Sequence, residues 1–370
     1  MRIAIITPWF PTKKNPLYGI FVKNQAHALS KHCEVIVVLY KRTLIPYRKQ
    51  YENKNLTIVE AGFPFPPITS EYWLKKWAIQ YAKLVLKVHE DHPIDVLHCH
   101  DHYGAYVGHV SQNFERIPYF VTVHNSNILN DKLVDWKKSY LEKVFHPAVK
   151  VFCVSSEMKE KLATSYATTN TEIVPNFIDP DLFVLGTKND EVFRFVFIGD
   201  FNENKGVLLI IEAFAKLNID KKLELHLIGD GELKDEVNKA IEQHNLKDKV
   251  KLYGWIPNEL IPEVFQQSDV LISFSSTESF GMTVIEAMSC GLMIVYHETG
   301  GLKDTVNPTQ AVKVSERTED ALSTAMLESI ELRKSISKET IRQHVIDYYS
   351  EDAVIPQIIK YYKDGVTKED

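Results

Sequence analysis

Residues 269–296 constrain the fold of this chain more than any other stretch. They contain one apolar run of strand length at 269–274 and a second at 292–296. Between the two runs, a helix-forming segment begins near Gly281 and stops at Gly291. Two strands joined by one helix form a βαβ unit, in which the strands are parallel and the crossover is right-handed. The segment therefore predicts an α/β fold built on a parallel sheet.

Two carboxylates flank the start of this helix. Glu278 lies in the loop before the helix, and Glu286 lies about one turn inside it. Free backbone N–H groups at a helix N-terminus favour an anion such as a diphosphate, especially at the carboxyl end of a parallel strand. Carboxylates beside such a site suit hydroxyl groups, such as those of a sugar or a ribose. The combination predicts a site for a nucleotide sugar.

The segment E-S-F-G-M-T-V-I-E-A-M-S-C-G-L-M-I-V at 278–295 resembles the E-x7-E motif of retaining GT-B glycosyltransferases, especially glycosyltransferase family 4 (glycosyl transferases group 1). The resemblance covers nearly the whole chain and is strongest from 195 to 300. It implies two Rossmann-like, doubly wound α/β domains facing across a cleft. It also implies retaining transfer of a hexose from a UDP- or GDP-linked sugar to a hydroxyl of a glycan or glycolipid acceptor, in cell-envelope or polysaccharide synthesis. No metal and no cofactor besides the sugar donor is expected.

The distribution of strands and helices agrees with two domains. A length of 370 residues exceeds the usual single core. One series of alternating strands and helices ends near 174, and a second begins at 193. We therefore predict an acceptor-side domain at 1–185 and a nucleotide-sugar-binding domain at 186–351. By resemblance, a last helix at about 352–370 crosses back to the first domain.

Lys205 follows the first strand of the second series and precedes a predicted helix at 207–217. A lysine there can contact a phosphate as a point charge, although a plain surface lysine is the alternative. The family has a phosphate-binding lysine in a matching K-G and usually an arginine five residues earlier, where this chain has Asp200. The resemblance thus implies that Lys205 and Glu278 are catalytic, and that Glu286 binds the ribose.

The resemblance also implies further donor-binding residues. Backbone N–H groups around the start of the helix after Glu278 would bind phosphate and sugar hydroxyls, and residues at neighbouring strand ends would line the pocket for the base. For the glycines among them, an ordinary turn is the alternative. The donor-binding set is Gly19, Gly254, Trp255, Phe280, Gly281, Met282, Thr283, Val284 and Glu286.

Four histidines lie near two strand ends of the first domain. By resemblance, His124 is the active-site histidine of the family, which orients the donor sugar or donates a hydrogen bond in the transition state. His98, His100 and His102 end the preceding strand, and their spacing admits a metal site. Because no cysteine or second cluster supports zinc, we expect them to line the core or the cleft instead.

Charge and hydropathy bear on the partners. The net charge of −6 divides into +5 for residues 1–185 and −11 for residues 186–370. This difference either indicates that the first half binds an anionic partner or reflects ordinary variation in charge between two domains. A basic, aromatic helix at 71–92 could contact an anionic membrane or pack on its own sheet. No apolar run approaches the ~20 residues of a membrane span. We expect a cytoplasmic protein with scattered free thiols, peripheral contact with the inner membrane face as a hypothesis, and no nucleic-acid partner.

Two other function classes remain open at this point. A nucleotide-sugar epimerase or hydrolase could use the same architecture, and so could a non-catalytic nucleotide-binding scaffold. A nicotinamide-dependent dehydrogenase is disfavoured because no G-x-G-x-x-G follows a strand in either half.

Overall fold

The computed structural model describes residues 1–12, 15, 18–188, 190–219 and 222–367. The chain divides into two compact units. Unit 1 consists of Met1–Pro175 and Val354–Asp370, and unit 2 consists of Asn176–Ala353.

The sheet of unit 1 is parallel apart from one edge strand, β3. Its strands are β1 (Arg2–Ile6), β2 (Glu34–Arg42), β3 (Tyr47–Asn53), β4 (Leu56–Phe63), β5 (Val96–His100), β6 (Tyr119–Val123), β7 (Lys150–Cys153) and β8 (Thr171–Ile173). In the described residues they lie in the order β3-β4-β2-β1-β5-β6-β7-β8. Central strands such as β6 are apolar and buried along their whole length, as expected when helices cover both faces of a parallel sheet.

Six helices connect these strands among the described residues of unit 1, and the C-terminal helix joins them. They are α1 (Ile20–Ser30), α2 (Glu71–Asp91), α3 (Asp101–Ser111), α4 (Ser126–Leu129), α5 (Asp135–Phe145), α6 (Ser156–Tyr166) and, from the end of the chain, α14 (Glu351–Val366). Tyr362 of α14 is fully buried and hydrogen-bonds to His98 of β5.

Strand β3 was not anticipated from the sequence. Its residues, Tyr47–Asn53, are largely exposed, so they carry no apolar signal. The strand pairs antiparallel with β4 through a register that places Gln50 opposite Val59. An exposed edge strand with charged side chains is hard to distinguish from a loop by pattern alone.

The basic, aromatic segment was expected either to contact a membrane or to pack on its own sheet. It forms helix α2, which packs against the rest of unit 1 for most of its length. Trp77, Tyr81, Leu84 and Val88 are buried, and the helix packs against α3 and β2. Tyr72 and Trp73 in its first turn remain exposed. None of the described helices combines the length and apolar character needed to cross a membrane.

Unit 2 is also an α/β unit. Its strands are β9 (Phe193–Ile198), β10 (Leu223–Ile228), β11 (Val250–Gly254), β12 (Val270–Ser273), β13 (Met293–His297) and β14 (Ala311–Val314). Its helices are α7 (Val207–Ala215), α8 (Lys234–Gln243), α9 (Ile261–Gln266), α10 (Met282–Ser289), α11 (Leu302–Thr305), α12 (Glu319–Leu332) and α13 (Lys338–Tyr349).

The order of strands in unit 2 determines where a ligand can bind. Among the described residues, the parallel sheet has the order β11-β10-β9-β12-β13-β14. The direction of winding reverses between β9 and β12, which pair through Phe195 with Val270 and through Val196 with Leu271. A crevice forms at such a reversal, outside the carboxyl ends of the two strands.

The boundary between the units lies before the position that we predicted. It falls between Pro175 and Asn176, whereas the sequence analysis had placed residues up to 185 in the first domain. Residues 176–185 belong to unit 2 because they are tied to α13. Ile178 N–H donates to the Tyr349 carbonyl at 2.9 Å, and the guanidinium of Arg342 donates to the carbonyls of Pro180, at 2.8 Å, and Phe183.

Candidate active site

The two residues predicted to act on the donor in unit 2 lie in direct contact. Lys205 Nζ is 2.8 Å from Glu278 Oε2, and both side chains are partly buried. Lys205 lies between β9 and α7, and Glu278 lies between β12 and α10. Because β9 and β12 are neighbours at the reversal of the sheet, residues 73 positions apart meet at its carboxyl edge.

Both loops end in a glycine that begins a helix with left-handed backbone. Gly206 has φ +71° before α7, and Gly281 has φ +96° before α10. A side chain is disfavoured at such angles, and a Cβ on Gly281 would also lie 2.5 Å from Leu302. These glycines aim two helix N-termini, with their partial positive charge, at the region of the Lys205–Glu278 pair.

One member of the expected donor-binding set does not fit its proposed role. The Val284 N–H donates to the Gly281 carbonyl at 3.0 Å inside the first turn of α10, so it is not available to a ligand. The expectation that backbone N–H groups from Phe280 through Val284 bind the donor is therefore wrong at Val284. Phe280 is buried and packs near Tyr349, while Met282 and Thr283 occupy the first turn of the helix.

A glycine pair that the sequence analysis did not single out shapes the Glu278 loop. Gly300 has φ +53°, and a Cβ there would lie 1.6 Å from the Glu278 carbonyl oxygen. The Gly301 N–H donates to the same carbonyl at 3.0 Å, and Thr299 Oγ1 donates to the Ser276 carbonyl at 2.9 Å. The Thr-Gly-Gly sequence at 299–301, one residue after the end of β13, was the available signal for this contact.

Glu286 lies one turn into α10 and keeps part of its surface exposed. Desolvation nevertheless raises the pKa of its carboxyl to about 8. A protonated carboxyl can both donate and accept a hydrogen bond, which suits contact with a hydroxyl group.

Gly254 and Trp255 lie at the end of β11, two strands away from β9. Gly254 has φ +66° with open space where a Cβ would be, and Trp255 is 54% exposed. The Gly254 carbonyl accepts a hydrogen bond of 2.9 Å from the Gly229 N–H, which joins this turn to the end of β10. Trp255 thus presents an exposed aromatic surface at the carboxyl edge of the sheet.

In unit 1, the two residues proposed to act on the donor are Gly19, which follows β1, and His124, which follows β6. Gly19 begins α1 with φ +72°, and a Cβ there would lie 2.6 Å from the Trp9 carbonyl. The ring of Phe21 in α1 lies 4.3 Å from that of His124. Strands β1 and β5 are neighbours at the reversal of this sheet, so these residues lie at the equivalent edge.

His124 is partly buried and lies at the end of a row of three histidines, of which His98 and His100 are fully buried. Its Nε2 is 3.1 Å from His100 Nδ1, and the His100 ring stacks on that of His98. His98 Nε2 is 2.6 Å from Thr122 Oγ1. Burial lowers the pKa of His98 to about 3 and that of His124 to about 4, and it lowers the pKa of His100 as well. The three rings are therefore neutral, which supports the expected role of His98 and His100 in lining the core.

His102 was considered with these residues as a metal ligand. It lies in α3 beside Asp101, with 3.2 Å between His102 Nδ1 and Asp101 Oδ2. Asp101 has φ +56° and accepts a hydrogen bond of 2.9 Å from Asn125. Across the described part of the chain, no three His, Cys, Asp or Glu side chains are arranged to hold a metal ion.

Two family models match adjoining stretches of the chain, which together span residues 19–344. The model described as Glycosyltransferase Family 4 matches residues 19–182, and the model described as Glycosyl transferases group 1 matches residues 181–344. An uncharacterized glycosyltransferase of Methanocaldococcus jannaschii is 23% identical over 98% of this chain and 98% of its own length.

Solved structures of the same fold include sucrose-phosphate synthase from Thermosynechococcus elongatus. It matches with a TM-score of 0.79 and 18% identity over 98% of both chains. Anabaena HepE, solved in complex with UDP and glucose, matches with a TM-score of 0.73 and 17% identity over 97% of this chain and 98% of its own. The chain has the GT-B fold and belongs to the glycosyltransferases that the Glycosyltransferase Family 4 and Glycosyl transferases group 1 models describe.

Proposed function

We propose that this glycosyltransferase moves a hexose from a UDP- or GDP-linked sugar to a hydroxyl of a glycan or glycolipid acceptor, with retention at the anomeric carbon and without a metal ion. Cell-envelope or polysaccharide synthesis is the proposed setting. The observation that carries the proposal is the contact of 2.8 Å between Lys205 and Glu278, at the reversal of the unit 2 sheet and between two helix N-termini.

Each group at this contact has a part in the proposed reaction. In the free enzyme the Lys205 ammonium neutralises the Glu278 carboxylate. When donor binds, Lys205 and the N-terminus of α10 bind the diphosphate, and Glu278 accepts hydrogen bonds from the sugar hydroxyls. The stabilisation matters most in the transition state, in which negative charge builds on the departing phosphate and positive charge on the sugar ring.

The proposed step balances without a further reagent. The bond from the anomeric carbon to the diphosphate oxygen breaks, and a bond from the same carbon to the acceptor oxygen forms on the same face. The proton of the acceptor hydroxyl passes to the departing diphosphate. No side chain needs to form a covalent bond with the sugar.

The roles of the other donor-binding residues are proposed from the family resemblance. We assign the ribose to Glu286, the base to the surface of Gly254 and Trp255, and the diphosphate side of unit 1 to Gly19. His124 orients the sugar or donates a hydrogen bond in the transition state. One ring nitrogen of His124 contacts His100, and the other is buried and has no hydrogen-bond partner among the described residues, so this role requires the ring to turn when donor binds.

Substitution of either residue at the central contact tests the proposal. K205A and E278A should each abolish transfer, since one loses the charge that binds the diphosphate and the other loses the contact with sugar hydroxyls. K247A is the matched control, because Lys247 forms an ion pair of 2.7 Å with Glu242 in the same unit. Transfer rates with UDP- and GDP-hexoses, and the shift of melting temperature that each donor causes, give the readout. Full activity in K205A or E278A would reject the assignment.

The same measurements separate the alternatives. Rapid conversion of the donor in the absence of any acceptor would indicate an epimerase or hydrolase. Binding of a nucleotide sugar without turnover across panels of donors and acceptors would indicate a non-catalytic scaffold.

We further propose that unit 1 contacts an anionic lipid bilayer through one surface, which we call the apolar–basic surface. It is formed by residues 41–49, residues 63–67 and the first turn of α2. Leu44 and Ile45 at its tip are 94% and 77% exposed. The ring of Phe65 lies 6.0 Å from that of Trp73, which joins the loop to the helix.

Charge favours an anionic lipid partner for this surface. Residues 41–49 hold four basic residues and no acidic one, but Lys41 and Arg48 form ion pairs with Glu60 and Asp91. The charge offered to lipid therefore comes mainly from Arg42 and Lys49, together with Lys75 and Lys76 on the exposed side of α2. A basic residue near an anionic membrane contributes about 1 kcal/mol, and each buried CH₂ group contributes about 0.8 kcal/mol. Such contact would bring the enzyme to a glycolipid acceptor.

Co-sedimentation with vesicles tests this contact. The protein should bind vesicles of phosphatidylcholine with phosphatidylglycerol, and bind phosphatidylcholine alone weakly. L44S/I45S should lower the partition coefficient by about tenfold or more, because it removes the apolar atoms that would enter the bilayer. F114S, at a side chain that is 51% exposed in the same unit, should leave binding unchanged. Equal binding by L44S/I45S and the wild type, or no binding by the wild type, would refute this surface.

A further inference from the structure

Arg317 connects the two loops that carry Lys205 and Glu278. It lies between β14 and α12, directly before Thr318, which caps α12 by accepting a hydrogen bond from Ala321 N–H. From there its side chain reaches the loops after β9 and β12. Arg317 Nη2 donates to the carbonyls of Glu203 and Asn204, at 2.7 and 3.2 Å.

A third hydrogen bond from Arg317 reaches the loop that carries Glu278. Arg317 Nε donates to the Phe274 carbonyl at 3.2 Å, and the guanidinium lies 5.7 Å from the centre of the Phe274 ring. Phe274 follows β12 directly and leads into the Glu278 loop. One planar guanidinium thus holds the backbone on both sides of the Lys205–Glu278 contact, which a lysine with its single nitrogen cannot reproduce.

Asn204 strengthens the same connection. Its side-chain oxygen accepts hydrogen bonds from Ser276 Oγ at 2.7 Å and from Thr277 N–H at 3.2 Å. The Ser276 N–H donates to the Asn204 backbone carbonyl at 2.8 Å. Arg317 bonds to the backbone of the residue that makes these contacts, one position before Lys205. A change in Arg317 would therefore move Lys205 relative to Glu278.

We propose that Arg317 is a positioning residue, which sets the distance between Lys205 and Glu278 and so aligns Lys205 with the donor diphosphate. Its donors on Nε and Nη2 are engaged by backbone carbonyls, so it acts through Lys205 rather than on the sugar. The inference rests on the proposed function, because it assigns the diphosphate to Lys205.

A double-mutant cycle tests this role. R317A should lower kcat/KM by about 10- to 100-fold, since a small displacement of a binding group has an effect of that size. R317K should recover part of the loss. The affinity for UDP or GDP should fall in R317A and in K205A, and R317A/K205A should bind no more weakly than K205A alone. Groups that act through one contact give such non-additive effects.

R342A is the matched control. Arg342 also donates to backbone carbonyls in unit 2, those of Pro180, Phe183 and Ser289, but none of its hydrogen bonds in the described part of the chain reaches the Lys205 loop or the Glu278 loop. R342A should lower the melting temperature and leave kcat/KM of the folded protein unchanged. If Arg317 had only a structural role, R317A would likewise lower the melting temperature and leave kcat/KM unchanged.

The outcomes separate this inference from the proposed function. A wild type that neither binds a nucleotide nor transfers a sugar would refute the function itself. A wild type that does both, with R317A matching it in kcat/KM or with losses that add in R317A/K205A, would overturn the positioning role and leave the function standing. If R317A does not fold, R317K and R317Q give the same comparison.

Discussion

At Glu286, the surroundings of one carboxyl determine its charge. Desolvation raises its pKa to about 8, so the carboxyl is largely protonated at neutral pH in the free protein. A protonated group beside the N-terminus of α10 adds no negative charge near the proposed diphosphate.

This pKa shift predicts how stability depends on pH. The folded chain keeps a proton that the unfolded chain releases above its ordinary value of 4.5, so the free energy of unfolding falls as the pH rises from 4.5 to about 8. Each unit of pKa shift corresponds to about 1.4 kcal/mol, and the partial exposure of Glu286 makes the full effect smaller than the shift implies.

E286Q should remove this dependence, because glutamine stays neutral throughout. Relative to the wild type, the melting temperature of E286Q should rise between pH 4.5 and pH 8 and stay level outside that window. Thermal unfolding across this range measures the difference. A difference that does not vary with pH would show that the carboxyl ionises normally.

At the scale of elements, the apolar strands and the helices between them were predictable. The apolar runs predicted as strands at 269–274 and 292–296 form β12 (Val270–Ser273) and β13 (Met293–His297), because continuous apolar runs report burial directly. Strand β3 was not predictable, because its exposed residues carry no such pattern. An edge strand of this kind is stabilised by hydrogen bonds to the neighbouring strand. The sequence of the segment alone does not show which neighbour it will pair with.

Some residues of the candidate site were also predictable from the sequence, and others were not. Glu278, Gly281 and Glu286 were identifiable because they lie within one segment of strand, loop and helix. Two contacts were not identifiable from the sequence, because they join loops that are distant along the chain. They are the packing of Gly300 on the Glu278 carbonyl and the hydrogen bonds of Arg317. The engaged N–H of Val284 was also missed, since only the actual start of α10 decides which amides remain for a ligand.

At the scale of the whole chain, unit 1 is discontinuous in sequence, because it is completed by residues from 354 onwards. Tyr362 and Gly365 of α14 supply that completion. Tyr362 is fully buried, and its ring lies 5.1 Å from that of Phe120 in β6. A Cβ on Gly365 would lie 2.7 Å from the Phe120 ring, so the helix approaches the sheet closely.

Y362A should therefore destabilise unit 1 specifically. Removing a fully buried aromatic ring costs about 3–5 kcal/mol, and this change also removes the hydrogen bond to His98. Y361A is the matched control, because the neighbouring tyrosine is only partly buried and should have a smaller effect. Hydrogen exchange followed by mass spectrometry should show faster exchange in β5, β6 and β7 of Y362A, with the amides of β9 to β14 unchanged. Equal acceleration in both units would mean that they unfold as one body, and that α14 does not stabilise unit 1 in particular.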